Sequence, residues 1–249
     1  MNGVTFDFSD TTVVVTGGTS GIGHATASAF AAAGASVTIT GTRATAAEYG
    51  DTDLAAFAYV QLEMRDGAAV DAFVRRFDRI DVLVNNAGAN FPDGKDEWDP
   101  DGFSAALDLN VEGAMRLSMR SRSALQASPM PGGASVVNVV SMTAFRSTTI
   151  VPGYSAAKAA LLALTRNLAV HWVNRGIRVN AVAPGLIETR MTAPMHSMPE
   201  LLDAELSKAA MQRMGRPEEV AAAVLFLSSQ ASAYTTGACF AIDGGYLAL

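Results

Sequence analysis

The sequence predicts an α/β fold in which parallel strands alternate with helices. Thr12–Thr16 is a β-branched run that leads into the glycine-rich segment 17–23 and then into an alanine-rich helix ending near Ala33. A second β-branched run, Ser36–Thr40, follows Gly34. Because crossover connections are right-handed, this run is expected to lie parallel to the first strand in the same sheet.

The rest of the chain continues the same alternation of strands and helices. Further strands are predicted at Phe57–Leu62, Ile80–Val84, Ser135–Ser141, Ile177–Val182 and Ala238–Ile242. Helical spacing of apolar residues predicts helices over Val70–Phe77, Phe103–Leu117 and Tyr154–Arg175, and a final helix that opens at Arg216. The polar segment Gly41–Ala56 is expected to hold only a short helical stretch.

A chain of 249 residues could form one large domain or two small ones, and because nothing in its composition marks a linker, one globular domain over residues 1–249 is expected. Hydrophobic residues make up 49% of the chain and charged residues 17%, which argues against disorder. The net charge of −6 and the pI of about 5.0 disfavour nucleic acid as a partner, since both would repel a phosphate backbone. Residues 1–10 contain no cationic and apolar leader, and no later run suggests a membrane span, so a cytoplasmic protein is expected.

Cysteine and histidine provide no pattern typical of a disulfide or a metal site. The single cysteine, Cys239, has apolar neighbours and is expected to be a small buried hydrophobe. His24, His171 and His196 are far apart in the sequence. We therefore predict no structural zinc.

Two loops at predicted strand ends suit a ligand that carries phosphate. Glycines in the segment 17–23 allow the backbone to turn sharply and to approach a pyrophosphate, whose charge the following helix N-terminus favours. Asn85-Asn86-Ala87-Gly88 follows the fourth strand, where small side chains and amides suit a backbone close to a ligand. A ligand-free turn is the alternative for both loops.

Three reactive side chains are expected to meet between the fifth strand and the next helix. Tyr154 and Lys158 are four residues apart and so lie on one face of that helix, with Ser141 at the end of the strand. A neighbouring ammonium group is expected to lower the pKa of the Tyr154 phenol. Asn110 lies beside the apolar stripe of an earlier helix, where its amide either kinks the helix or performs a task.

In this order and at these separations, the motifs resemble those of the short-chain dehydrogenase/reductase family over nearly the whole chain, including members similar to 3-oxoacyl-ACP reductase. The motifs that carry the resemblance are Thr16-Gly17 with Gly21 and Gly23, Asn85 to Gly88, Asn110, Ser141, Tyr154 with Lys158, Pro184-Gly185, and Asp243-Gly244-Gly245. The resemblance implies a single Rossmann-like, doubly wound sheet of seven parallel strands with helices on both faces. It also implies a nicotinamide dinucleotide cofactor and hydride transfer to or from a carbonyl or secondary alcohol.

The resemblance assigns roles to four residues. Tyr154 is expected to be the general acid or base, Ser141 to orient the substrate oxygen, Lys158 to assist Tyr154 and hold the ribose, and Asn110 to position a relay water. The expected cofactor contacts, besides Tyr154 and Lys158, are Gly17, Thr19, Ser20, Gly21, Ile22, Thr42, Arg43, Glu63, Met64, Asn86, Ala87, Gly88, Pro184, Gly185, Ile187 and Thr189. Glu63 stands where relatives often carry aspartate, and Met142 where they often carry a small residue.

The segment 186–214 loses simple periodicity and is rich in methionine. It is interpreted as a mobile cover over an apolar substrate, with a packing insertion or subunit contact as the alternative. The resemblance also implies a homo-oligomer, commonly a tetramer, that is built on the long helices carrying Asn110 and Tyr154. Trp172 is interpreted either as a marker of that contact surface or as a core residue.

NADP(H) is favoured weakly over NAD(H). The second strand is followed by Gly41-Thr42-Arg43, which contains no carboxylate to repel a 2′-phosphate, and Arg43 can grip that phosphate unless it points into solvent. Reduction of a carbonyl is then the favoured direction. The alternatives are an NAD-dependent alcohol dehydrogenase working oxidatively, a dinucleotide-binding regulator without turnover, and epimerase or dehydratase chemistry.

Overall fold

A parallel sheet forms the centre of the protein in the computed structural model, which describes residues 4–50 and 52–249. Residues 1–3 and 51 of the predicted domain lie outside this description. The strands are β1 (Thr12–Val15), β2 (Ser36–Gly41), β3 (Ala58–Gln61), β4 (Val82–Asn85), β5 (Ala134–Val139), β6 (Ile177–Pro184) and β7 (Cys239–Ile242). Their order in the sheet is β3-β2-β1-β4-β5-β6-β7, and every neighbouring pair is parallel. The predicted seven-stranded parallel sheet is confirmed.

Helices cover both faces of this sheet. They are α1 (Gly21–Ala32), α2 (Gly67–Val74), α3 (Pro100–Leu107), α4 (Gly113–Gln126), α5 (Pro152–Trp172), α6 (Pro199–Leu206) and α7 (Pro217–Ser228). On one face α1 packs against α7, and on the other α2 packs against α4 and α3 against α5. The fold is therefore a three-layer α/β/α arrangement.

Alternation along β1 shows how the sheet divides the core. Val13 and Val15 belong to the apolar cluster that includes Phe30 of α1, whereas Val14 belongs to the cluster that includes Leu117 of α4. All three valines are fully buried. Because successive strand residues point to opposite faces, one short valine run contributes to both halves of the core, and this explains its unbroken hydrophobic pattern.

The order in which strands are added to the sheet reverses next to β1. The chain places β2 and β3 on one side of β1 and then returns to place β4 on the other side. The loops that follow β1 and β4 therefore diverge at their carboxyl ends and leave a crevice between them. In open α/β sheets, ligands bind at such a switch point.

Some local features differ from the prediction. The second helix begins at Gly67 instead of Val70, because the Asp66 carboxylate accepts the N–H groups of Ala68 and Ala69 and so caps it earlier. The predicted helix over Phe103–Leu117 is interrupted by a π-helical turn at Asp108–Glu112. The interpretation of Trp172 as a surface marker is wrong, because its side chain is fully buried in the core.

Candidate active site

A crevice of about 490 Å³ lies at the carboxyl ends of the strands, at the point where the strand order reverses. It is lined by Ser141 and by seventeen of the eighteen predicted cofactor contacts: Gly17, Thr19, Ser20, Gly21, Ile22, Thr42, Glu63, Met64, Asn86, Ala87, Gly88, Tyr154, Lys158, Pro184, Gly185, Ile187 and Thr189. Arg43 and Asn110 do not line it. Residues from most of the chain length thus meet at one site.

The glycine-rich loop is closely packed and leaves its helix end uncapped. Gly17 and Gly21 have positive φ angles of 63° and 53°, a region that L side chains rarely adopt. A Cβ on Gly23 would lie 2.2 Å from the Gly17 carbonyl oxygen. No side chain caps α1 at Ser20, so the N–H groups of its first turn are available to an anionic group.

Thr16 and Asn86 fasten the loop after β1 to the loop after β4. The Thr16 hydroxyl accepts the N–H groups of Asn86 and Ala87, each at 3.0 Å. The Asn86 amide donates to the carbonyl oxygens of Thr16 at 2.9 Å and Gly17 at 3.1 Å. The asparagine in this motif therefore has a defined structural task, which is to fix both sides of the crevice relative to each other.

Lys158 lies at the bottom of the crevice with 3% of its surface exposed. Its Nζ donates to the Val139 carbonyl oxygen at 2.8 Å and lies 5.3 Å from the centroid of the Tyr154 ring. Burial lowers the pKa of Lys158 to about 8. An ammonium group has three donors, so Lys158 can donate a hydrogen bond to a ligand in the crevice while it also donates to Val139.

The pKa of Tyr154 is raised to about 12, whereas the sequence predicted a lowered value. Burial is the main cause, and the negative charge of Glu97 adds to it, while a hydrogen bond with the Ser141 side chain acts in the opposite direction. The four-residue spacing of Tyr154 and Lys158 indicates a nearby ammonium group, but it contains no information about the burial of the phenol or the charge on Glu97.

Ser141 is held by a residue that the sequence analysis did not select. The Ser141 hydroxyl oxygen accepts the backbone N–H of Thr143 at 3.2 Å and its hydroxyl at 3.0 Å. A hydroxyl that accepts from Thr143 keeps its own proton for another acceptor. The cue in the sequence is a threonine two residues after the serine, because Ser141 caps the short turn Met142–Ala144 and its hydroxyl oxygen accepts the N–H of Thr143.

Asn110 lies behind the crevice, within the π-helical turn. Its amide nitrogen donates to the carbonyl oxygens of Ala89 at 2.8 Å and Ala106 at 3.0 Å, and its amide oxygen accepts the Ala89 N–H at 3.2 Å. Because the side chain takes the Ala106 carbonyl, it competes with the regular helical bond at that position. Both predicted alternatives therefore apply: Asn110 perturbs its helix, and it also anchors the loop after β4 through its bonds to Ala89.

Arg43 lies two residues after the end of β2, on the exposed surface. Its guanidinium carbon lies 4.7 Å from the centroid of the Tyr49 ring, and the group also donates to the Glu48 carbonyl oxygen. The Arg43 backbone N–H donates to the Tyr49 hydroxyl at 3.0 Å. Tyr49 itself lines the crevice, although the sequence analysis did not select it, because it lies in a polar segment without a motif.

A bridge of charged side chains crosses the crevice near the end of β3. Arg65 pairs with Glu63 at 3.3 Å and with Asp93 at 2.7 Å, and all three residues line the crevice. Only Glu63 was predicted. Arg65 and Asp93 are 28 residues apart in the chain, so no local pattern could have linked them.

The segment 186–214 is more regular than predicted. It contains a 3₁₀ turn at Ala193–Ser197 and helix α6. Met191 and Met198 are exposed, whereas Met214 is buried. Met191 and Thr192 line the crevice, so the beginning of the segment borders the site.

Residues 4–50 and 52–249 contain neither a candidate metal cluster nor a membrane-spanning helix. In these ranges no group of three or more histidine, cysteine, aspartate or glutamate side chains is placed to hold a metal ion. Within the same ranges no helix combines the length and the apolar character needed to cross a bilayer. Cys239 is partly buried, and burial raises the pKa of its thiol to about 11, which disfavours the reactive thiolate.

Known proteins share this fold and this sequence pattern. The sequence model described as enoyl-(acyl carrier protein) reductase matches residues 17–247. Galactitol 2-dehydrogenase (L-tagatose-forming) of Cereibacter sphaeroides is 37% identical over 239 residues, which cover 93% of each chain. The 3-oxoacyl-[acyl-carrier-protein] reductase of Synechocystis sp. (strain ATCC 27184 / PCC 6803 / Kazusa) is 36% identical over 243 residues, which cover 93% of this chain and 95% of that protein.

A solved relative agrees with these sequence matches. The Pseudomonas aeruginosa RhlG/NADP active-site complex superposes with a TM-score of 0.85 at 31% identity, over 97% of this chain and 98% of that one. The chain belongs to the short-chain dehydrogenase/reductase family. It is an NAD(P)-dependent oxidoreductase that acts on a CH–OH group or the corresponding carbonyl.

Proposed function

We propose that Tyr154 is the general acid when a carbonyl is reduced and the general base when an alcohol is oxidised. The observation that carries this proposal is the arrangement of Tyr154 between the buried ammonium of Lys158 and the hydroxyl of Ser141 at the bottom of the crevice. The bound nicotinamide supplies or accepts the hydride. Tyr154 then delivers the proton that the resulting alkoxide-like oxygen requires.

Ser141 and Lys158 support this proton transfer. Because Thr143 donates to the Ser141 oxygen, the proton of the Ser141 hydroxyl is directed to the substrate oxygen, which it orients and stabilises. Lys158 uses one donor for Val139, and its other donors suit the hydroxyls of the nicotinamide ribose. Asn110 is proposed to position a relay water, which would have to share side-chain atoms that already bond to Ala89 and Ala106.

Replacement of the phenol tests this assignment directly. Tyr154→Phe removes one hydroxyl without emptying the crevice, so kcat should fall by about a thousandfold or more while cofactor affinity changes less than a few-fold. Initial rates and fluorescence titration with cofactor provide both quantities. If Tyr154→Phe kept most of its kcat, the acid would have to be another residue.

We infer a preference for NADP(H) from the loop after β2. Neither of the two residues after Gly41 is acidic, and the exposed guanidinium of Arg43 lies over the ring of Tyr49, which lines the crevice, so a 2′-phosphate can meet it there. Arg43→Ala should raise KM for NADPH about tenfold, which corresponds to about 1.5 kcal/mol for a charge-assisted contact. KM for NADH should change little.

A second candidate, an NAD-dependent alcohol dehydrogenase that works oxidatively, is favoured by the existing contacts of Arg43. Its guanidinium lies over the Tyr49 ring and bonds to the Glu48 carbonyl oxygen, and it does not line the crevice. A native preference for NADH, or equal effects of Arg43→Ala on both cofactors, would favour this candidate. Arg75→Ala is the matched control, because Arg75 is an exposed arginine on the C-cap of α2.

The substrate is proposed to be a small carbonyl compound or secondary alcohol. Relatives named for galactitol and for 3-oxoacyl-[acyl-carrier-protein] define two arms of a substrate panel, polyols and β-ketoacyl thioesters. Simple ketones and secondary alcohols form the third arm. Each is assayed with each nicotinamide cofactor by following absorbance of the reduced form, and the preferred direction follows from the same rates.

The segment 186–214 is proposed to close over the substrate, since its first residues border the crevice and a reacting carbonyl requires a dry site.

We also propose a homotetramer, with contacts through the long helices α4 and α5. Met115 and Met119 on α4 and Val170 on α5 are exposed, which is typical of a contact surface. Light scattering at micromolar concentration distinguishes a tetramer from a monomer.

A further inference from the structure

Glu97 is a fully buried acidic residue with 0% of its surface exposed. One carboxylate oxygen, Oε1, accepts the backbone N–H of Phe91 at 2.8 Å. The other, Oε2, accepts the backbone N–H of Tyr154 at 2.7 Å. Burial of a carboxylate is costly unless hydrogen bonds compensate it, so these two bonds are the reason that a charge is tolerated here.

The bond to Tyr154 caps the helix that carries the proposed acid. Tyr154 lies in the first turn of α5, where backbone N–H groups have no partner within the helix. The residue before the helix, Val151, provides no side-chain cap. Glu97 supplies the missing acceptor from a distant segment and places its negative charge at the positive end of a 21-residue helix.

The second bond connects this helix end to the loop after β4. Phe91 has a left-handed backbone with φ of 46°, a conformation that costs free energy for a bulky residue. Two residues earlier, Ala89 is bonded to Asn110 in both directions. Glu97 therefore joins Tyr154 to the part of the loop that Asn110 anchors.

Packing leaves the Glu97 carboxylate little room to move. A Cβ on Gly153 would lie 3.3 Å from Oε2 and 2.9 Å from the Cβ of Ala106. The helix end thus approaches the carboxylate closely because residue 153 is a glycine. A longer or shorter acid would not satisfy both N–H groups in the same space.

We propose that Glu97 is a positioning residue for the reaction: it fixes the backbone of Tyr154, and so the place of the phenol, and it adds a negative charge to the surroundings of the phenol. This inference rests on the proposed role of Tyr154. The groups that face the phenol are Lys158 from its own helix, Ser141 from the end of β5, and Glu97 from the loop. Among them Glu97 acts to raise the pKa of Tyr154.

Glu97→Gln removes the charge of the side chain and keeps its shape. The amide is isosteric, but it carries no charge and can present its oxygen to only one of the two N–H groups. We expect kcat to fall about tenfold, and the limb of the kcat–pH profile that reports Tyr154 to move to lower pH by about one unit. The exposed Glu112 provides the control, and Glu112→Gln should leave kcat and the profile unchanged.

Glu97→Asp is the second variant and keeps the charge while it shortens the reach. We expect its pH limb to stay near that of the native enzyme and its kcat to fall, because the Tyr154 N–H loses its acceptor. Melting temperatures show that each variant is folded. A folded Glu97→Gln enzyme with an unmoved pH limb, or a Glu97→Asp enzyme with full kcat, would overturn the proposal.

The two hypotheses can fail separately. If Tyr154→Phe abolishes turnover while both Glu97 variants behave like the native enzyme, the positioning role is wrong and the assignment of Tyr154 stands. If Tyr154→Phe retains turnover, the assignment of the acid is wrong, whatever the Glu97 variants show.

Discussion

The buried ammonium of Lys158 should make the stability of the protein increase with pH. Burial lowers its pKa from 10.5 to about 8, so the folded protein holds this proton less tightly than the unfolded chain. Below pH 8 the folded state therefore carries a penalty of about 3 kcal/mol, since each pKa unit is worth about 1.4 kcal/mol. The penalty disappears as the pH rises from 8 to 10.5.

Titration of Tyr154 sets the upper limit of the pH range in which the effect of Lys158 on stability can be measured. Its pKa is raised from 10.0 to about 12 in the folded protein, so the unfolded chain loses this proton first, and stability declines as the pH rises beyond 10. Of these two groups, only Lys158 titrates between pH 7 and 9.5. We expect the free energy of unfolding to increase by about 2 kcal/mol over that interval on account of Lys158.

The assay compares the native protein with Lys158→Met, which keeps a similar volume without the charge. Denaturant unfolding at fixed protein concentration and ionic strength, followed by the fluorescence of the buried Trp172, provides the free energy at each pH. The variant should lack the increase and be the more stable protein at pH 7. Equal pH dependence in the two proteins would refute the reasoning.

Two further predictions concern the crevice. Gly23→Ala places a Cβ 2.2 Å from the Gly17 carbonyl oxygen, so cofactor affinity should fall at least tenfold and the protein should lose about 2 kcal/mol of stability, measured by calorimetric titration and denaturant unfolding. Gly50→Ala is the control, because nothing lies within 4 Å of its Cβ position, and similar effects in both variants would contradict the steric argument. Amide exchange in the segment 186–214 should slow on saturation with cofactor and substrate; unchanged protection would remove the proposed closure.

The sequence alone predicts the sheet and most of the crevice, because the necessary signals are local. Valine runs such as Val13 to Val15 predict buried strands, and the glycines after them require a turn at the strand end. Once parallel strands are inferred, their carboxyl ends share one edge, so Tyr154 and Lys158 can be placed near the glycine loop without coordinates.

Element boundaries are predicted less well, because hydrogen bonds from side chains decide them. Asp66 starts α2 a turn earlier than the apolar pattern indicates. Asn110 competes for the Ala106 carbonyl and turns a predicted continuous helix into two helices with a π-helical turn between them. Hydrophobic periodicity contains no information about either event.

The parallel sheet and the identities of Ser141, Tyr154 and Lys158 as candidate site residues thus follow from the sequence. The contacts that tune them are decided only by tertiary structure. Burial of the phenol, with a smaller contribution from the Glu97 charge, reverses the pKa shift that the Tyr154–Lys158 spacing predicted, and Glu97 precedes Tyr154 by 57 residues. Desolvation and long-range charge depend on what surrounds a group in space, and neighbours along the chain do not specify those surroundings.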